Sequence, residues 1–297
     1  MNLTKNRPLT GHLFALFSVT AWGTSFLISK SLMTKVSPVQ LMWMRFVIAW
    51  LAMWLICPKR RFRWREDGPI LLLSLIGNTL YFLAENIALQ LTQATNVSIL
   101  VSSAPILSVL LMRLFRQSER LTGRKLVGIV LALLGVLLVV FNGVFVLRLN
   151  PAGDALALAA ALCWAVYGFL AKRILESSDS ALVTRKLMFY GILSTTPLLL
   201  AEKTPLAAMA SLGPVDICGL LYLGLICSAL CYLLWNRAID ILGALKTNLY
   251  VYAVPLVTML AGALFLREAI TATGLIGIVL VVGGMMLSSL EKKTKNG

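Results

Sequence analysis

The chain has 297 residues, of which 59% are apolar and only 13% are charged, with a mean hydropathy of +0.87. These values exclude an ordinary soluble globular protein. The formal net charge of +15 does not indicate nucleic-acid binding, because the Lys and Arg residues lie between apolar stretches and do not form a basic patch on a soluble domain. Contact with anionic lipid headgroups is the predicted use of this charge.

Apolar stretches long enough to cross the roughly 30 Å hydrocarbon layer recur along the whole chain. We predict an all-α integral membrane protein with spans near residues 11–29, 39–57, 69–90, 94–114, 123–142, 153–171, 182–201, 215–236, 245–265 and 271–290. The first stretch lacks a cleavage site before a polar segment, so it is predicted to stay as the first helix. Ten transmembrane helices leave little of the chain for a soluble domain.

The distribution of basic residues predicts the orientation of these spans, since Lys and Arg near span ends are retained on the cytoplasmic side. With the N-terminus inside, most of the 27 basic residues fall in cytoplasmic segments, and Arg45 is one of the few on the other side. We therefore predict a multi-pass protein of the cell inner (plasma) membrane with both termini cytoplasmic.

The second half of the chain repeats the first. Residues 81–139 match 231–288, and residues 11–30 match 153–172. The matched pairs include Trp22/Trp164, Asn86/Asn236, Pro105/Pro255, Gly128/Gly277 and Gly135/Gly284. We predict two five-helix repeats, at residues 1–145 and 150–291. The paired glycines are spaced for one helical face, where close helix packing explains them.

An odd number of spans per repeat inserts the second copy in the opposite direction. The equivalent loops agree with this inversion, because residues 113–125 carry five basic residues and the counterpart at 264–274 carries only Arg267. Inverted repeats are typical of transporters that work by alternating access around a site near the membrane midplane. A duplicated membrane scaffold without transport is the alternative.

Three motifs occur in this duplicated frame: Trp22-Gly23 after the first apolar run, a Pro-containing run ending in an acidic residue (Pro105 to Glu119, Pro255 to Glu268), and Asn-x-Ala at Asn86 and Asn236. Through them the chain resembles the EamA-type branch of the drug/metabolite transporter (DMT) superfamily over essentially its full length. The resemblance implies a ten-helix inverted-repeat bundle that exports amino acids, other small metabolites or drugs.

Pro105 and Pro255 fall near the centres of their predicted spans, where a proline removes a helical hydrogen bond. Freed backbone carbonyls at that depth are tolerated only against protein or a water-filled cavity. Both prolines are hinge candidates, and a packed bend without function is the alternative.

Glu85 is the candidate for proton coupling, since it is an ionisable residue within an otherwise uncharged span. Burial in general favours the protonated form of a carboxyl group, which allows proton exchange near neutral pH. The alternatives are an ion pair with Arg45 or a side chain that reaches the outer interface.

Polar and aromatic residues within the spans are candidates for a substrate cavity: Trp22, Asn86, Trp164, Tyr167, Asn236, Tyr250 and Tyr252. The amides offer donors and acceptors, and the aromatic rings offer apolar surface with a polar edge. Bonding and packing between helices would explain the same residues. Such a cavity suits amino acids, aromatic metabolites or amphipathic drugs better than phosphates.

Enzyme function is not predicted. His12 is the single histidine, the five cysteines lack paired metal-ligand spacing, and no phosphate-binding GxxxxGK[ST] loop is present. We expect no cofactor and no metal. The sequence thus predicts a secondary transporter that exports a small organic molecule in exchange for protons, with an uncoupled facilitator as the alternative mechanism; it leaves the substrate and the oligomeric state open.

Overall fold

The all-α prediction is confirmed. A computed structural model describes residues 7–58, 64–92, 94–115, 122–141, 150–202, 209–257, 259–260 and 271–289, and these contain helices and no strand. The α-helices are α1 Arg7–Leu32, α2 Pro38–Ile56, α3 Trp64–Ser74, α4 Tyr81–Leu91, α5 Ala94–Val101, α6 Ala104–Leu114, α7 Gly123–Phe141, α8 Pro151–Leu175, α9 Ser180–Leu200, α10 Pro214–Leu221, α11 Cys231–Leu242, α12 Ala244–Asn248 and α13 Ala272–Ser289.

Six helical stretches in these ranges are long and apolar enough to cross a membrane. They are Pro8–Leu32, Pro38–Ile56, Asp67–Leu91, Val97–Leu114, Pro151–Leu175 and Pro214–Leu242, and the apolar helix Ala272–Ser288 is shorter. Large apolar side chains cover the outer surface, for example Leu55, Leu200 and Val279. In water such a surface would aggregate, whereas lipid tails solvate it, so the protein is a multi-pass membrane protein.

Local side-chain chemistry sets the helix boundaries. Ser37 caps α2 by accepting a hydrogen bond from the backbone of Gln40, with Pro38 at the first position. Asn150 and Asp179 cap α8 and α9 in the same way. At the other end of a span, Gly243 stops α11 with a φ of 87°, a conformation that glycine adopts without strain.

Backbone irregularities occur at matched positions of the two halves. π-Helical turns join α3 to α4 at Leu75–Leu80 and α10 to α11 at Tyr222–Leu230. The later spans are interrupted as well, at residues 102–103 and by the 3₁₀ segment Leu249–Ala253. Pro105 and Pro255 both lie in the first turn of the helix that follows the interruption, where the missing N–H group costs no hydrogen bond.

Helices of the first half pack against helices of the second half. Helix α1 packs along α11, and α8 packs along α4. Helix α7 packs along α13 through the paired glycines: Gly128 faces Gly284, and Gly135 faces Gly277. The prediction that these glycines serve close helix packing is therefore confirmed, and each contact joins a first-half glycine to a second-half one.

Candidate functional site

A half-open cavity lies between the two halves, with about 530 Å³ of empty space when its mouth is included. Helices α1, α2, α4, α5, α8 and α11 and the interrupted span around residue 251 contribute to its wall. The lining residues are Trp22, Ser25, Phe26, Arg45, Tyr81, Phe82, Glu85, Ser98, Val101, Ser102, Trp164, Tyr232, Val251 and Val254. The enclosed space itself is only about 40 Å³, room for a few water molecules, so the cavity must widen to admit a small organic molecule.

Aromatic rings form most of one wall. The ring of Trp164 lies 5.2 Å from that of Trp22 in an edge-on contact, 5.2 Å from Tyr81 and 5.9 Å from Tyr232. Centroid distances of this size are typical of favourable aromatic pairs. The predicted pair Trp22 and Trp164 is thus brought together in the cavity wall.

The π-helical turns hold two of these aromatic residues in place. Trp22 Nε1 donates to the carbonyl oxygen of Cys227 at 2.9 Å, and the hydroxyl of Tyr232 donates to the carbonyl oxygen of Gly77 at 3.1 Å. A π turn displaces the regular i to i−4 hydrogen bonding, so its carbonyls are available to side chains. Gly77 and Cys227 are counterparts in the duplication.

Glu85 lies in the cavity wall with only 7% of its surface exposed. Its carboxylate accepts a hydrogen bond from the hydroxyl of Tyr81, one helical turn earlier, at 2.5 Å. The two side chains form a hydrogen-bonded pair against the aromatic wall. A carboxyl group so placed can exchange a proton with a molecule in the cavity.

Arg45, which the sequence suggested only as an outer-side residue or as an ion-pair partner of Glu85, also lines the cavity. It is 2% exposed, its Nε donates to Ser228 Oγ at 2.9 Å, and its guanidinium carbon lies 4.1 Å from the centre of the Phe82 ring. Within the described ranges Arg45 and Glu85 share the cavity without forming an ion pair. Its position well inside α2, and not at the span end, was the signal for this placement.

Two predicted residues bind one another away from the cavity. The Tyr167 hydroxyl donates to Asn236 Oδ1 at 2.5 Å, and Asn236 Nδ2 donates to Thr184 Oγ1 at 3.0 Å. Tyr167 also stacks on Trp164, with ring centroids 5.1 Å apart. Asn86, the counterpart of Asn236, is fully buried, and its amide has no hydrogen-bond partner among the residues that the structure describes.

Tyr250 and Tyr252 also lie outside this cavity. The Tyr250 hydroxyl hydrogen-bonds His12 Nδ1 at 2.6 Å beside a second, mostly apolar depression between α1 and α13. Tyr252 is fully buried, and its hydroxyl has no partner in the described part of the chain. The interruptions before Pro105 and Pro255 do reach the cavity, because Ser102 and Val251 lie within them and line its wall.

Among the described residues, no group of three or more His, Cys, Asp and Glu side chains could bind a metal ion. The cavity therefore offers aromatic surface, hydroxyl groups, one carboxyl group and one guanidinium group for binding.

Comparison with known proteins matches this chain to membrane transporters. The EamA-like transporter family matches the sequence over residues 9–141 and again over residues 151–290. An "uncharacterized transporter" of Archaeoglobus fulgidus is 28% identical over 289 residues, covering 95% of this chain and 98% of that protein. A "probable amino-acid metabolite efflux pump" of Escherichia coli (strain K12) is 26% identical, with 93% of each protein covered.

The fold also matches a solved crystal structure. That chain has a TM-score of 0.76 and 19% sequence identity, with 94% of this chain and 96% of that chain covered. A likeness at this identity shows the fold alone.

Proposed function

We propose that this chain, which belongs to the EamA-like transporter family, is a secondary transporter that exports a small organic metabolite or amphipathic compound across the cell inner membrane in exchange for protons. Membership of the family and the names of the relatives support transport. Exchange with protons rests on the cavity. One observation carries the proposal: a buried carboxylate, Glu85, lies in an aromatic cavity between the two halves.

The proposed architecture is a ten-span bundle of two inverted five-helix repeats, at residues 1–145 and 150–291. The family matches each half separately, and the π turns and the interruptions before the prolines fall at matched positions. Helix packing supports a two-fold relation, because exchanging the halves converts the α1 contact with α11 into that of α8 with α4. It likewise converts the Gly128–Gly284 contact into Gly277–Gly135.

Alternating access follows from this architecture as part of the proposal. The interruptions before Pro105 and Pro255 would act as hinges in the cavity wall. Tyr167 and Tyr252 are the counterparts of Ser25 and Ser102, which line the cavity. If each half adopted the conformation that the other half has now, the cavity would open to the opposite side of the membrane. These tyrosines would then line it, next to Asn236.

Proton exchange is proposed to use Glu85 directly. A substrate and a proton would occupy the cavity alternately, so that release of one accompanies binding of the other. Tyr81 holds the carboxyl group in position through its hydrogen bond and does not itself change charge in this scheme.

The test of coupling is release of substrate from proteoliposomes under an imposed pH gradient. Vesicles loaded with labelled amino acids or amphipathic cations are expected to release a substrate faster when the outside is acidic. In Glu85→Gln the acceleration should disappear, because an amide cannot take up the proton. Glu176→Gln, the same change at an exposed helix end, should behave like the wild type. A release rate that changes neither with the pH gradient nor with the Glu85 substitution would instead identify an uncoupled facilitator.

Topology has its own test. Tags on both termini are expected to resist protease added to intact cells, because the distribution of Lys and Arg supports a cytoplasmic position for both ends. Permeabilised cells, in which both tags should be cleaved, provide the control. Cleavage of either tag in intact cells would overturn this orientation.

A further inference from the structure

Arg45 presents an electrostatic problem that transport alone does not explain. It lies inside α2, 2% exposed, in a segment apolar enough to span the membrane. Arginine stays charged in proteins, and a charge in such surroundings is costly unless it is paired. A structural arginine in this position would therefore be expected to have a carboxylate partner.

The surroundings offset this charge only in part. Ser228 accepts one hydrogen bond from Nε, and the face of the Phe82 ring lies under the guanidinium group. No carboxylate in the described ranges forms an ion pair with Arg45. Glu85 shares the cavity and feels the Arg45 charge through space, but its carboxylate accepts the bond from Tyr81 and does not contact the guanidinium group. The two terminal amino groups of Arg45 remain available to a ligand.

We propose, on the basis of the transport function proposed above, that Arg45 binds the carboxylate of the substrate. The planar guanidinium group can hold a carboxylate through two parallel hydrogen bonds. Because Ser228 occupies Nε, the carboxylate binds end-on to the two terminal nitrogens. The apolar remainder of the substrate lies against Trp22, Trp164 and Tyr232, which line the same cavity.

This assignment narrows the substrate class to small carboxylates with an apolar or aromatic part, amino acids included. A single guanidinium balances the single charge of a carboxylate. A phosphate dianion would leave excess negative charge beside Glu85. A simple cation would pair with Glu85 but would leave the terminal amino groups of Arg45 without an anionic partner, so carboxylates are preferred over cationic amphipathic compounds.

Binding of four related probes tests the assignment: phenylalanine, phenylalaninamide, 3-phenylpropionate and phenethylamine. Quenching of tryptophan fluorescence reports binding, since Trp22 and Trp164 line the cavity. The wild type should bind the two carboxylates at least about tenfold more tightly than the amide and the amine, as a charge-assisted pair predicts. Arg45→Gln should lose this preference, and Arg45→Lys should keep part of it.

Matched variants separate this inference from the proposed function. Arg113→Gln removes an exposed arginine and should leave the preference unchanged. Size-exclusion profiles confirm folding, and Ser228→Ala provides a milder variant that should weaken carboxylate binding by disturbing the guanidinium position. Carboxylate preference without transport in proteoliposomes would overturn the transport function while the Arg45 site stands.

Three results would overturn the Arg45 assignment. These are equal binding of carboxylate and amide by the wild type, an unchanged preference in Arg45→Gln, and no binding of any of the four probes. Gradient-driven transport of a cationic compound that is insensitive to Arg45→Gln would also overturn it, while leaving the proposed transport function in place.

Discussion

Replacing Gly284 with alanine is expected to destabilise the protein by about 1–3 kcal/mol, the usual cost of inserting a methyl group into a packed contact. A Cβ at this position would lie 2.5 Å from the backbone nitrogen of Ala132 and 2.5 Å from the carbonyl oxygen of Gly128. Both atoms belong to the backbone of α7, so α7 and α13 must move apart. The temperature at which half of the detergent-solubilised protein stays monodisperse should fall.

The neighbouring glycine supplies the control. A Cβ on Gly283 would meet nothing within 4 Å, so Gly283→Ala is expected to be neutral or to stabilise by up to about 1 kcal/mol through helix propensity. Gly135→Ala should resemble Gly284→Ala, because its Cβ would lie 2.6 Å from the carbonyl oxygen of Gly277. Equal melting temperatures for Gly283→Ala and Gly284→Ala would contradict the proposed glycine contact.

The features set by local chemistry were predictable from the sequence. Helix starts at Ser37 and Asn150 follow from capping side chains and adjacent prolines, and the apolar stretches between them follow from hydropathy. The interruptions near Pro105 and Pro255 were predicted as mid-span kinks, and the structure places them just before each proline. Backbone chemistry was sufficient for these features because the partners lie within a few residues.

Features that depend on distant partners were not predictable in the same way. The π turns at Leu75–Leu80 and Tyr222–Leu230 carry no hydropathy signature, and the Gly77 and Cys227 carbonyls find donors on other helices. Arg45 was predicted to lie toward the outer side, with an ion pair to Glu85 as an alternative; its position in the sequence does not show that it lines the cavity without contacting that carboxylate.

The two Asn residues show the limit of sequence matching. Asn236 is held by Tyr167 and Thr184, whose counterparts in the first half are Ser25 and Met44. Met44 has no oxygen to accept a bond from Asn86. Identical residues at matched positions therefore have different partners, because each repeat supplies its own surroundings.

Removing the ammonium group of Lys186 is expected to cost about 3–5 kcal/mol, the usual effect of breaking a buried ion pair by deleting one partner. Lys186 Nζ lies 3.0 Å from Asp67 Oδ1, with both side chains more than nine-tenths buried, and Tyr190 donates to the same oxygen at 2.8 Å. The pair joins α3 of the first half to α9 of the second. It lies roughly 25 Å along the helix from Glu85, at the far end of that span from the cavity. Lys186→Met should therefore lower the melting temperature sharply.

The double variant Asp67→Asn with Lys186→Met shows whether charge is the cause. Asparagine can still accept the Tyr190 hydrogen bond while removing the carboxylate charge, so part of the lost stability should return, as expected when both members of a buried pair are neutralised. Lys30→Met, the same change at an exposed lysine, should stay within about 0.5 kcal/mol of the wild type. If the double variant is as unstable as Lys186→Met, the loss of stability comes from the changed packing of the side chain and not from the lost charge pair. If it is restored, the two halves are joined at this end of the helices by an ion pair.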